Sequence, residues 1–174
     1  SGLVAVPNKD QQLLNWVPRL RRYARALCSN RDDADDLVQN TLERAWAKST
    51  LWQGVVDMRA WLFGIMHHVH QDDYRRPQLQ TVNDEDIALN RPISAAQDER
   101  LQVRDLQAAL DQLPSEQREV LLMVALEEMP YADIARSLNV PMGTVMSRLS
   151  RGRERLRAVL AGQAPTASHL KVVK

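Results

Sequence analysis

The chain is poor in cysteine, in aromatic residues and in unbalanced charge. Its only cysteine, Cys28, permits no intrachain disulfide and fits a reducing, cytoplasmic setting. No apolar run approaches the roughly 18–20 residues that span a bilayer, so no membrane insertion is expected. The opening SGLVAVPNKD has no basic segment followed by an apolar one, and no signal peptide is read there. Charge nearly cancels, with 23 basic against 22 acidic residues in 174 and a net of +1, so the totals neither demand nor exclude a polyanionic partner. Strand-like alternation of period two is convincing nowhere, and the expected fold is all-α. What remains is ordinary globular usage, 44% apolar and 26% charged, which excludes a wholly disordered or disulfide-stapled chain.

Three helical patterns fill residues 10–76. In the first, from Asp10 to Cys28, Leu13, Leu14, Val17, Leu20, Ala24 and Leu27 recur at helix spacing, and Pro18 predicts a kink or a break. The second opens on Asp32 and Asp33, acids suited to a helix N-terminus, and runs through Trp46. STLWQGVVD reads as a loop. The third runs from Met58 to Arg76 and stops at Pro77, with Trp61, Leu62, Ile65 and Val69 as its core face. Residues 77–95 carry Pro77, Pro92 and little periodicity, and residues 77–100 hold two basic against five acidic groups, which predicts an acidic, mostly extended linker over 77–95. Four more helices are expected, over Ala96 to Leu113, Ser115 to Leu126, Tyr131 to Leu138 and Met142 to Leu160, before a loose tail. Seven of the eight aromatics precede the linker, leaving Tyr131 alone after it. Two cores of different composition imply two small helical domains joined by a flexible linker, the second a four-helix domain. The boundaries are residues 10–77, linker 78–95, residues 96–162 and tail 163–174.

YADIARSLNVPMGTVMSRLSRGRERLR has the helix, short turn, helix form of a helix-turn-helix. At 100° per residue, Val145, Leu149, Gly152 and Leu156 share the docked face of its second helix. Thr144, Arg148, Arg151 and Arg155 share the neighbouring, outward face. Arginine takes guanine O6 and N7 as a bidentate pair or grips phosphate, so this face is suited to duplex DNA. A solvated basic face on a plain helical hairpin is the blander account of the same residues.

Two blocks of sequence resemble one family independently. LPSEQREVLLMVALEEMPYADIARSLNVPMGTVMSRLSRGRERLR resembles the promoter-reading C-terminal domain of bacterial extracytoplasmic-function (ECF) RNA polymerase sigma factors. DDADDLVQNTLERAW is similar to that family's core-polymerase-binding helix, and RAWLFGIMHHVHQDDYRRP to its minus-ten-reading helix. The likeness covers about 150 of the 174 residues, in the family's order. It implies a protein that binds core RNA polymerase, carries it to promoter DNA and is itself no enzyme. It implies no cofactor or metal, a monomer when free, and an anti-sigma protein as regulator.

The resemblance also assigns residues. Asp33, Asp36, Gln39, Asn40 and Glu43 would meet the polymerase clamp, with Asn40 standing where relatives often carry an acid. His68, Asp72, Arg75 and Arg76 would contact the minus-ten element. Thr144, Ser147, Arg148, Ser150, Arg151 and Arg155 would read the minus-thirty-five element, with Met146 where many relatives have a basic residue. Trp52 in the loop is either a stacking platform for a flipped base or a core plug, and Trp46, Trp61 and Phe63 are expected in the core. His67, His68 and His70 raise a metal reading, for which no second ligand-bearing element is evident. The rival functional reading is a sigma mimic that occupies an anti-sigma protein without touching DNA. A dimeric repressor would leave DDADDLVQNTLERAW unexplained.

Overall fold

The computed structural model describes residues 9–48, 57–75 and 98–162, and every regular element among them is a helix. The first module holds α1 (Lys9–Leu27), α2 (Arg31–Ala47) and α3 (Met58–Arg75). The second holds α4 (Asp98–Asp111), α5 (Ser115–Glu127), α6 (Tyr131–Leu138) and α7 (Met142–Gly162). The linker expected at 78–95, most of the loop STLWQGVVD with its Trp52, and the tail at 163–174 lie outside the described residues.

Local chemistry sets the helix ends. Asn30 caps α2: its side chain accepts from the Asp33 N–H at 2.7 Å, and its amide nitrogen donates to the Asp33 carboxylate at 2.8 Å. Asn139 closes α6 at φ 54°, ψ 50°, a left-handed conformation that asparagine tolerates, and Val140 N–H then donates to Ala135 O at 3.0 Å. That single left-handed residue turns the chain toward α7. Glu128 closes α5 in the same conformation at φ 50°, ψ 36°, ahead of Pro130. The expected effect of Pro18 is not seen as a break, since α1 runs continuously through it. Pro18 and Leu14, whose carbonyl loses its helical donor there, both lie on the exposed face, where water can take the freed group.

Helix α3 is the centre of the molecule. α2 packs on one side of it and α6 on the other, so Ala60, Leu62, Phe63, Ile65, Met66, His67 and Val69 are all buried. The period-3.6 reading found Leu62, Ile65 and Val69 but allowed for only one covered face. Phe63 meets Tyr23 of α1 edge-on, with centroids 5.0 Å apart, a contact worth about 0.5–1.5 kcal/mol beyond burial. Trp61 is partly buried, whereas Trp46, expected in the core, is 48% exposed near the end of α2.

The two modules do not keep separate cores. α1 packs on α5 and α4, α3 packs on α6, and one cluster of buried residues runs from Leu13 to Leu149 across both. The skewed aromatic distribution marks which module supplies the rings, not a gap between two cores.

Candidate polymerase and nucleic-acid interfaces

Helix α2 presents a single acidic stripe. Asp33, Asp36, Gln39, Asn40 and Glu43 are all exposed, while Ala34, Leu37, Val38, Thr41 and Ala45 are buried. Thr41 joins the buried side because its hydroxyl donates to Leu37 O at 2.6 Å. Gln39 Nε2 donates to Glu43 Oε1 at 3.3 Å, which ties two of the stripe residues together. Asp33 is committed to the helix cap as well as the surface. The five residues named from sequence therefore form one continuous surface, suited to a basic partner.

On α3 the four residues named for minus-ten contact separate. His68 and Asp72 are exposed. Asp72 is bridged to Arg44 of α2 at 3.2 Å. Partial burial, and then the neighbouring His67, lower the pKa of His68. Arg75 closes α3, and Arg76 lies outside the described residues. The three histidines do not converge. His67 and His70 turn to Glu119 of α5, at 2.9 and 3.4 Å, and His68 faces solvent. Among the described residues no cluster of histidine, cysteine and acidic side chains is arranged to hold a metal ion.

On α7, Val145, Leu149 and Gly152 are buried against the module. Gly152 allows that close approach: a Cβ there would lie 3.0 Å from Leu121 Cδ1 of α5. Ser150, Arg151 and Arg155 are exposed, and Thr144 and Ser147 are half-buried. Arg148 is less free than the helical wheel implies. Its side chain is 21% exposed and lies 3.7 Å from Glu116 of α5. Thr144, Ser147, Arg148 and Arg151 line an open cleft with Glu116, Gln117 and Gly143. The outward face thus divides into Arg151 and Arg155, reaching solvent, and Arg148, held against the module.

Sequence reasoning missed the charged groups between the modules. Glu119 and Glu127 are 2% and 4% exposed. Glu127 is held by Arg19 Nε at 3.0 and 3.2 Å and by Arg22 Nη2 at 3.4 Å, both from α1. Burial would raise the Glu119 pKa, but His67 and His70 outweigh it and hold that pKa below the ordinary value. A signal was available: Glu119, Leu122, Met123 and Leu126 fall on one helical stripe, and an acid in an apolar stripe requires a partner. Cys28, by contrast, is chemically quiet, with burial first and Asp33 second pushing its thiol up to about 12.

An exposed acidic stripe, a three-helix module and a helix-turn-helix in one chain make the arrangement of a sigma-type transcription initiation factor. Residues 13–67 match the model for the sigma2 domain of PhyR, and residues 104–156 match region 4 of sigma-70. The chain is 38% identical over 150 residues to the ECF RNA polymerase sigma factor EcfG of Rhodopseudomonas palustris, covering 85% of this chain and 82% of that one. It is 33% identical over 172 residues to the ECF sigma factor SigE of Mycolicibacterium smegmatis, covering 90% and 63%. Among solved structures it resembles sigma factor RpoE in complex with the anti-sigma factor NepR from Bartonella quintana, with a TM-score of 0.70, 32% identity and coverage of 89% and 98%. The chain belongs to the ECF RNA polymerase sigma factor family.

Proposed function

We propose that this chain binds core RNA polymerase through the α2 stripe and directs it to promoters, reading the minus-thirty-five element with α7 and the minus-ten element with α3. The observation that carries the reading is the pairing of that acidic stripe with a separate, outward arginine face on α7 in one chain. Each surface fits one partner: carboxylates suit a basic protein clamp, and guanidiniums suit the edges and phosphates of a duplex. The chain works in the cytoplasm with the polymerase. It supplies recognition while the polymerase supplies the chemistry, so it carries no catalytic residue and no cofactor. Its expected regulator is an anti-sigma protein, the kind of partner named for the RpoE–NepR complex. Free of partners it is a monomer.

A second reading has one observation in its favour. The first module matches the sigma2 domain of PhyR, and an anti-anti-sigma factor PhyR in complex with NepR shares the fold at 16% identity. A mimic needs no DNA-reading face, yet Arg151 and Arg155 are exposed and unencumbered by any ion pair among the described residues. The test is reconstitution: purified chain, core polymerase and a promoter library. Initiation at a defined subset, lost on combined R148A, R151A and R155A substitution, supports the sigma reading. Initiation that survives the triple substitution removes the α7 arginines as the reading face, and no initiation from the parent chain at any promoter favours the mimic.

A further inference from the structure

On the outward side of α7, one arginine is held by a different helix. α5 and α7 are packed to a fixed separation: a Cβ on Gly152 would lie 3.3 Å from Gln117 Cβ and 3.0 Å from Leu121 Cδ1. The start of α5 is fixed in turn by Arg118, which donates to Leu110 O, Asp111 O and Leu113 O of the preceding helix and turn. Glu116 lies in the first turn of α5, so its backbone is held in place relative to α7. Arg148 stands one helical turn before Gly152, and its Nη2 lies 3.7 Å from Glu116 Oε2. Gln117, next to Glu116 and in the lining of the same cleft, has its Oε1 buried with no hydrogen-bond partner among the described residues. The α5 side of the cleft thus presents acceptors, and the α7 side presents Thr144, Ser147, Arg148 and Arg151.

An acid in the first turn of a helix suits the helix dipole, which accounts for the charge at residue 116 but not for its hold on Arg148. The Arg148 side chain is 21% exposed and that of Glu116 65%, so the cation is turned in while the carboxylate stays in water. At 3.7 Å the pair is longer than a hydrogen bond and contributes little in the free chain. An approaching duplex changes both conditions. Water leaves the cleft and the effective dielectric falls, and the phosphates drive the carboxylate toward the cation. A paired guanidinium has little net charge left for a phosphate, yet its remaining N–H groups stay in one fixed plane. That planar donor pattern is what guanine O6 and N7 accept.

We propose that Glu116 is a positioning residue for minus-thirty-five reading: it holds Arg148 so that the guanidinium meets a base edge rather than a phosphate. This rests on the sigma-factor reading and adds to it a group on α5, outside the helix-turn-helix. An arginine withheld from every passing phosphate gains less on a wrong sequence, which widens the difference between right and wrong.

The test uses the full chain assembled with core RNA polymerase, on promoter duplexes randomised across the minus-thirty-five element, with the transcripts sequenced. The parent should show a preference of about tenfold or more at one base pair, which R148A flattens. R148K, which keeps the charge but lacks the planar fork, should match R148A there. E116Q should cut the preference at that base pair to about threefold or less and leave the other positions as they are. E116D keeps the first-turn charge but shortens its reach by one methylene, and it should behave as E116Q. Melting temperatures within about 2 °C of the parent's exclude loss of the helix as the cause; if E116Q melts lower, E116D decides. The proposal is overturned if R148A flattens no position, if E116Q keeps the parent's preference or lowers it at every position alike, or if E116D behaves as the parent. No initiation by the parent at any duplex overturns the sigma reading itself, and the role of Glu116 in promoter reading with it.

Discussion

Arg118 of α5 donates from Nη1 to the carbonyl of Leu27, 2.8 Å away at the end of α1. The same guanidinium also donates to Leu110 O, Asp111 O and Leu113 O, at 2.8, 2.9 and 2.9 Å. One side chain thus finishes α4, closes the α4–α5 turn and joins the modules. Its planar fork suits four carbonyls in a way that an ammonium does not. Arg118→Ala is expected to cost about 3 kcal/mol, since charged hydrogen bonds are each worth roughly 1.5–3 kcal/mol and do not add. Thermal melting should fall by about 6–12 °C, and Arg118→Lys should recover less than half of the loss. A melt within 2 °C or so of the parent's in R118A would show that water replaces the guanidinium at no cost.

A pH dependence follows from Glu119. The groups that face it are His67 and His70 of α3 and Tyr23 of α1, whose hydroxyl donates to Glu119 O at 3.4 Å. Burial, and then the Glu119 charge, push the Tyr23 phenol well up, so it stays a neutral donor. Because the Glu119 pKa is lowered in the folded chain, its contribution is complete above the ordinary glutamate range, near pH 4.3, and is lost as pH falls below it. Between pH 5 and 3 the melting temperature of the parent should fall more steeply than that of E119Q. Parallel curves for the two proteins would remove Glu119 from the acid response.

The helices and the two surfaces were legible in the sequence because each rests on local periodicity. Asp33, Asp36, Asn40 and Glu43 follow one helical stripe, and Val145, Leu149 and Gly152 fix which side of α7 is outward. What periodicity cannot encode is the second covering of α3. A helix buried on one face and a helix buried on two differ only by residues such as Gly64 and His67, whose small size or polarity reads as surface until a neighbour arrives. Trp46 errs the other way: apolar and aromatic, it is 48% exposed near the end of α2. Arg148 was assigned correctly to the face but not to its constraint, since Glu116 lies on another helix. Glu119 and Glu127 were visible as acids in an apolar stripe, and their partners lie about 50 and 105 residues away in sequence.

Core-polymerase binding should depend on the α2 stripe. Asp36 and Glu43 are exposed, so Asp36→Lys with Glu43→Lys leaves the melting temperature within about 2 °C of the parent. Affinity for core polymerase should fall at least tenfold, mostly through slower association, with the deficit shrinking as salt is raised. Native gel or fluorescence anisotropy titration measures it. Equal affinity for parent and variant would reduce the stripe to a solvated surface.

Reading of the minus-thirty-five element should separate Arg151 from Arg155. Both are exposed on α7, but Arg151 lies one turn nearer the helix N-terminus, the end that enters the major groove in helix-turn-helix proteins. Arg151→Ala should cost about 1–3 kcal/mol on the preferred sequence and relax discrimination at one base pair. Arg155→Ala should weaken all sequences alike and reduce the slope of log affinity against log salt by about one, the mark of a lost phosphate contact. Met146, 54% exposed on the same helix, offers an apolar contact in place of a charge, and M146K should raise affinity for every duplex without sharpening choice among them. Binding is measured on duplexes with each base pair of the element changed in turn, at several salt concentrations. If R151A shifts all duplexes equally, Arg151 is a phosphate contact and base discrimination passes to Ser147, Arg148 and Ser150.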